Sequence, residues 1–168
     1  MKILKIISIS LFAFILCACG NKTEGGNNGG SNNPLGLNTM VCTKTEVDEG
    51  YTTEETIEFK YTKNEMKTIV SNVVSETEPD YIDLAISSAS LITEELNKLS
   101  GISYEITKGN NNTINYVVSI DYDKVNIEEM KKAFGEYTEN NDVYTDFDKN
   151  TSITSVKEEM IDDGYKCN

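Results

Sequence analysis

Two stretches carry oxygen ligands at spacings that could do chemistry. Asp146-Phe147-Asp148-Lys149-Asn150 opens in the D-x-D-x-N order of a calcium loop, and Ile153 falls where such loops keep an aliphatic residue. Calcium wants hard oxygens at alternate positions and a bidentate acid to close the shell. Here Thr151 stands where glycine would allow the sharp turn, Lys157 takes the closing acid's place, and Glu158 comes one residue late. Asp146, Asp148 and Asn150 are thus an incomplete metal candidate, set against a solvated acidic loop ahead of a helix. Asp121-Tyr122-Asp123 closes an alternating stretch, and its two carboxylates are expected to point the same way. Such a pair can do general acid–base work if its pKa values are pushed apart. Otherwise they are strand-end acids leading into a helix.

Missing residue types narrow the chemistry further. There is no histidine, arginine or tryptophan in the 168 residues. Without histidine there is no Ser-His-Asp triad, no Cys-His dyad and no imidazole zinc site. Without arginine the planar fork that grips carboxylates and phosphates bidentately is lost. No enzyme activity and no cofactor is expected on these grounds. The chain carries 28 Asp and Glu against 15 Lys, for a net charge of −13. That balance excludes nucleic acid as a partner, because phosphate neutralisation needs a basic excess. The exposed acids Glu54, Glu55, Glu76 and Glu78 read as a solvated face, and Tyr104 and Tyr116 as core.

Four cysteines divide into two pairs by position. Lys2 and Lys5 precede an apolar run from Ile6 to Leu16, too short to span about 30 Å of hydrocarbon. Leu16-Cys17-Ala18-Cys19 looks like a bacterial lipobox, with a cleaved signal over residues 1–18 and Cys19 as the lipidated first residue. An ordinary secretory signal with an incidental cysteine is the alternative. Two or three acyl chains would hold the chain on a membrane where one would not. The address expected is the cell envelope, outside the cytoplasm. Residues 19–39 then form a tether, rich in Gly and Asn, with a reach of about 25 Å. Cys42 and Cys167 remain near the two ends of the 40–168 segment. Outside the cytoplasm they can form a disulfide; the alternative is two buried thiols.

The elements that must position these residues follow from hydrophobic period. Val41 to Val47 is β-rich and ends at the turn signal Asp48-Glu49-Gly50; Ile57, Phe59 and Tyr61 alternate with polar neighbours; Met66 to Ser75 is a further strand. Tyr81, Ala85, Ala89, Ile92, Leu96 and Leu99 recur at helical spacing over 80–99, started by Pro79 and stopped by Gly101. Two more alternating runs, Ile102 to Ile106 and Ile114 to Ile120, make a second hairpin. Asn126-Ile127-Glu128-Glu129 opens a short helix to Phe134, ended by Gly135. A polar, irregular 136–150 segment leads to a last helix over 152–163, with Val156, Met160 and Ile161 facing in. Gly164 caps it, and Tyr165 to Cys167 is an extended tail. An offset of 45 residues lays Ile57, Phe59 and Ile69 on Ile102, Tyr104 and Ile114. The two hairpin–helix stretches therefore read either as two ββα units or as two similar amphipathic hairpins. The fold class is α+β: one domain, an antiparallel sheet of about five strands with helices packed on one face.

Several short motifs resemble the YehR-like bacterial lipoproteins. They are the signal with Cys19, Val41-Cys42-Thr43-Lys44-Thr45, Ile120-Asp121-Tyr122-Asp123 before an Asn-capped helix, and the closing Gly164-Tyr165-Lys166-Cys167. The resemblance covers residues 40–168 and implies an α+β domain without an established function. The expected partners are the membrane through the lipid and an envelope protein, peptide or glycan. A small-ligand or cation-binding accessory subunit of a membrane system is the alternative.

Overall fold

The computed structural model describes residues 36–63, 65–137 and 147–168. The expected signal, Cys19, most of the tether and Asp146 lie outside the described residues. Six strands form a single antiparallel sheet: β1 (Asn38–Asp48), β2 (Tyr51–Tyr61), β3 (Met66–Glu76), β4 (Ile102–Lys108), β5 (Thr113–Asp121) and β6 (Lys166–Cys167). Among the described residues there are three helices, α1 (Pro79–Leu96), α2 (Ile127–Tyr137) and α3 (Ile153–Asp162). The order across the sheet is β4-β5-β3-β2-β1-β6. The sixth strand is the tail, which pairs Cys42 with Cys167 and Thr43 with Lys166.

Period-2 patterning puts one face of the sheet in the core. Met40 and Cys42, Ile57 and Phe59, Ile69 and Val73, Tyr116, Val118 and Ile120, and Ile102 share this face by register and are buried. Ile82 and Ala89 of α1 pack on Ile114 and Tyr116. Met130 and Phe134 of α2, Val156 and Met160 of α3, and Phe147 join the larger cluster around Phe59 and Ile120. Phe59 and Phe147 meet edge to face at 6.1 Å between ring centres. The other face carries rows such as Thr43, Thr56, Asn72, Val117 and Glu105. These side chains are polar or short enough to stay wet, so an antiparallel sheet can leave that face open.

Local signals explain most boundaries. Glu49 and Gly50 both take positive φ, 48° and 90°, the two-residue turn whose twist matches the flanking strands. Pairing with Tyr61 lets β1 begin at Asn38, inside the expected tether. Glu78 precedes Pro79 as the cap position of α1. Asn126 Oδ1 accepts from the N–H of Glu128 at 3.1 Å and of Glu129 at 3.4 Å. Helix α2 runs past Gly135 to Tyr137, beyond the expected stop. Ser152 caps α3 by accepting from Ser155 N–H at 3.1 Å.

Two faces are corrected. Tyr81 is not inward: it is 56 % exposed, and Ile82 takes the core position beside it. Ile161 likewise faces solvent at 50 % exposure, while Val156 and Met160 are buried. The 45-residue offset also fails as a register. Ile57 stands opposite Ser71, so the offset would set Ile102 opposite Tyr116; Ile102 stands opposite Ile120, four residues farther along β5. The element order still repeats as hairpin then helix, with β3 and β5 paired where the two hairpins meet.

Strand β4 is an edge, and Asn97 caps its middle. Asn97 Nδ2 donates to the Tyr104 carbonyl at 2.8 Å, and Tyr104 N–H donates to Asn97 Oδ1 at 2.7 Å. The side-chain amide thus imitates a neighbouring strand and blocks edge pairing. Asn97→Ala is expected to cost about 1–2 kcal/mol from the two lost bonds, read as a lower melting temperature. Gel filtration at raised concentration should also show dimer. A variant unchanged in both measurements would show that the cap does neither.

Candidate functional site

The helix-side face contains one carboxylate held inside by its strand register. Glu55 is two residues before Ile57 and shares its face, between Lys44 of β1 and Val73 of β3. Tyr165 Oη donates to Glu55 Oε2 at 2.5 Å, and Ser71 Oγ donates to Oε1 at 3.4 Å. Lys44 Nζ lies 5.2 Å from the centre of the Tyr165 ring and 2.8 Å from Glu46 Oε1. Burial raises the Glu55 pKa above its usual value of 4.5; the bonds from Tyr165 and Ser71 and the charge of Lys44 pull it partly back. Glu55 therefore does not belong to a solvated face with Glu54, Glu76 and Glu78. Its phase with Ile57 and Phe59 was the available signal, hidden because the recognisable alternation begins only at Thr56.

This shift fixes a pH dependence. Folding raises the Glu55 pKa, so the folded state holds the proton more tightly than the unfolded chain. The contribution is fully present below the unfolded value of 4.5 and is lost as pH rises through the higher folded value. Glu55→Gln keeps an acceptor for Tyr165 and removes that loss. Urea unfolding should show the variant gaining stability relative to the parent between about pH 4 and about pH 7. An equal difference at both pH values would contradict it.

Asp121 and Asp123 do not form a carboxylate pair. Asp121 Oδ2 takes Lys124 at 2.6 Å, and Asp121 Oδ1 accepts the N–H of Asp123 at 3.0 Å, turning the chain out of β5. Asp123 instead joins Lys149 and Lys67, and Lys67 reaches Glu65 at 2.7 Å. Bonds from Lys149 and then Lys67 hold the Asp123 carboxyl below its usual range. This cluster is exposed and ties the 149 loop to β3; Met66 N–H also donates to the Lys149 carbonyl at 2.9 Å.

Asp148 and Asn150 close a turn among themselves. Asp148 Oδ1 accepts from Asn150 N–H at 2.6 Å, and Asp148 N–H donates to Thr151 Oγ1 at 2.9 Å. Among the described residues, no three His, Cys, Asp or Glu side chains stand together as a metal site. Tyr104 and Tyr116 are core residues, edge to face at 6.3 Å. Burial pushes the Tyr116 phenol up to about 12, so it stays protonated at neutral pH. Cys42 and Cys167 are bonded, Sγ to Sγ at 1.96 Å.

Shallow depressions occur among the described residues. One of about 310 Å³ lies on the open face, lined by Thr52, Glu54, Val74, Glu76 and Thr113. Thr52 N–H donates to Glu76 there at 2.9 Å. Another, about 280 Å³, sits between the β2–β3 turn and the start of α3, with Lys63, Glu65 and Asn150 in its wall.

Among the described residues, α1 exposes three large apolar side chains, Tyr81, Leu84 and Leu91. Leu84 and Leu91 are 60 % and 71 % exposed, and Tyr81 lies one turn before Leu84. Tyr81, Leu84, Ser88 and Leu91 follow a 3-4-3 spacing, so they form one line along the outward side. Tyr51 extends it: its hydroxyl donates to Glu78 Oε1 at 3.1 Å, at the start of the helix. Helical spacing groups Tyr81 with Ala85, Ala89, Ile92 and Leu96 and gives Leu84 and Leu91 no place in that series.

No family model and no curated protein matches the chain. Two solved structures share its fold. An NMR structure of a protein from Streptococcus pneumoniae TIGR4 is similar over 95 % of this chain and 99 % of its own, with TM-score 0.57 and 11 % identity. The NMR structure of E. coli YehR is similar over 76 % of this chain and 88 % of its own, with TM-score 0.52 and 14 % identity. At these identities the likeness is one of fold. The YehR-like architecture expected from the short motifs is present in this chain.

Proposed function

We propose that the protein is a lipid-anchored recognition domain of the cell envelope, without catalytic activity of its own. Cys19 would carry the lipid as in YehR-like lipoproteins, residues 20–37 would act as the tether, and the disulfide-bonded domain would meet an envelope protein, peptide or glycan. The observation that carries this reading is the line of exposed apolar residues on α1, Leu84 and Leu91 above all. A helix whose inner side already packs on β4 and β5 has no folding need for leucines on its outer side. The Leu16–Cys19 motif and the Cys42–Cys167 disulfide, a bond that persists in oxidising compartments, support this reading of the address.

Labelling cells with radioactive palmitate tests the anchor. The parent chain should be labelled and sediment with membranes, and Cys19→Ser should be unlabelled and leave the membrane fraction. Label on the Cys19→Ser variant, or none on the parent, would overturn the lipid-anchored reading. The binding role is tested below.

A further inference from the structure

We propose that the outward face of α1 docks a basic amphipathic segment of a protein partner. This rests on reading the protein as a recognition domain. The apolar line of Tyr81, Leu84 and Leu91 offers such a segment its hydrophobic contact, and Ser88, exposed and small, lies between Leu84 and Leu91. The charges around the line have one dominant sign. Glu78, Asp80, Asp83, Glu94 and Glu95 lie on or beside the helix. The lysines nearest to them already face acids: Lys98 meets Glu95 at 2.6 Å and Glu94 at 3.8 Å, and Lys108 meets Asp83 at 3.4 Å. An apolar stripe bordered by acids is complementary to a stripe bordered by Lys or Arg. A second copy of this chain would set acid against acid, and an anionic lipid surface would be repelled for the same reason. The uncovered sheet face is a poorer candidate, because its rows are mostly Thr, Ser, Asn and Glu with short Val side chains between them.

Site-directed photo-cross-linking in intact cells tests the face and the partner chemistry together. A photoreactive residue is placed at Ser88, and separately at Thr43 on the open sheet face, in the full chain. The expected result is a product from position 88 alone, mapped to a Lys- or Arg-rich amphipathic segment of another protein. Its yield should fall at least tenfold in Leu84→Ser/Leu91→Ser and in Asp80→Asn/Glu94→Gln. These residues are exposed, and an unchanged melting temperature confirms that each variant is folded. A product from position 43 alone would overturn docking on α1 and leave the recognition role standing. No product from either position would remove both. A product at 88 that maps to an acidic or neutral segment, to a second copy or to lipid would overturn the partner chemistry, as would a yield insensitive to both double variants.

Discussion

Reduction of the Cys42–Cys167 bridge is expected to lower the unfolding free energy by about 3–5 kcal/mol, and Cys42→Ala/Cys167→Ala by a similar amount. The bridge spans 125 residues in sequence, so it removes a large share of the freedom of the unfolded chain. It also holds a strand that pairing alone would not. β6 has two residues, and its neighbouring contacts are the bonds between Val41 and Asn168, at 3.1 Å in each direction. Freed from Cys42, the tail would fray and loosen Tyr165 from Glu55, leaving a half-buried carboxylate with one donor fewer. Urea unfolding with and without reductant measures the effect. The midpoint should fall and the slope should rise, because a chain without the cross-link unfolds to a more exposed state. Coincident curves would show that the bridge adds nothing to stability.

Gly101→Ala should destabilise by about 2–5 kcal/mol, adding a left-handed backbone penalty to a steric one. Gly101 has φ +80°, and a Cβ there would meet Val125 N at 2.7 Å and Asp121 O at 2.8 Å. Those atoms cannot step aside cheaply. The Asp121 carbonyl accepts from Lys124 N–H at 3.0 Å and Val125 N–H at 2.9 Å, and Asp121 N–H donates to the Gly101 carbonyl at 2.7 Å. The substitution therefore forces apart the connection into β4 and the turn that leads to α2. Gly50→Ala separates the two costs. Gly50 has φ +90° with nothing within 4 Å of the added carbon, so only the backbone term of about 1–2 kcal/mol remains. Equal losses at the two positions, by thermal or urea unfolding, would mean that the close approach at Gly101 relaxes freely.

Gly101 shows how far local reading goes. Its place after a helical run marks a stop; the helix itself ends at Leu96, and a turn over residues 97–100 leads to Gly101. That it also carries the approach of the β5–α2 turn depends on residues twenty or more positions away. Helix α1 divides in the same manner. Its apolar residues occupy most of its circumference, so period alone could choose Tyr81 or Ile82 for the core. The sheet decides, because Ile114 and Tyr116 present themselves to Ile82 and Ala89. Glu55 was misplaced because its charge outweighed its register.

The sequence by itself determined the hairpins, the helix starts at Pro79, Asn126 and Ser152, and the α+β class. These follow from period-2 and period-3.6 patterns and from caps, which act within a few residues. It also supplied the pairing of Cys42 with Cys167 as one of two alternatives. Only the tertiary structure decided the strand order, the sixth strand, the inward turn of Glu55 and the separation of Asp121 from Asp123. It likewise decided which leucines α1 leaves in water. Each of those depends on which surface is opposite, and chain-distant packing and charge pairing choose that surface. Leu84 and Leu91 are a pattern in the sequence and a candidate docking face only in the fold.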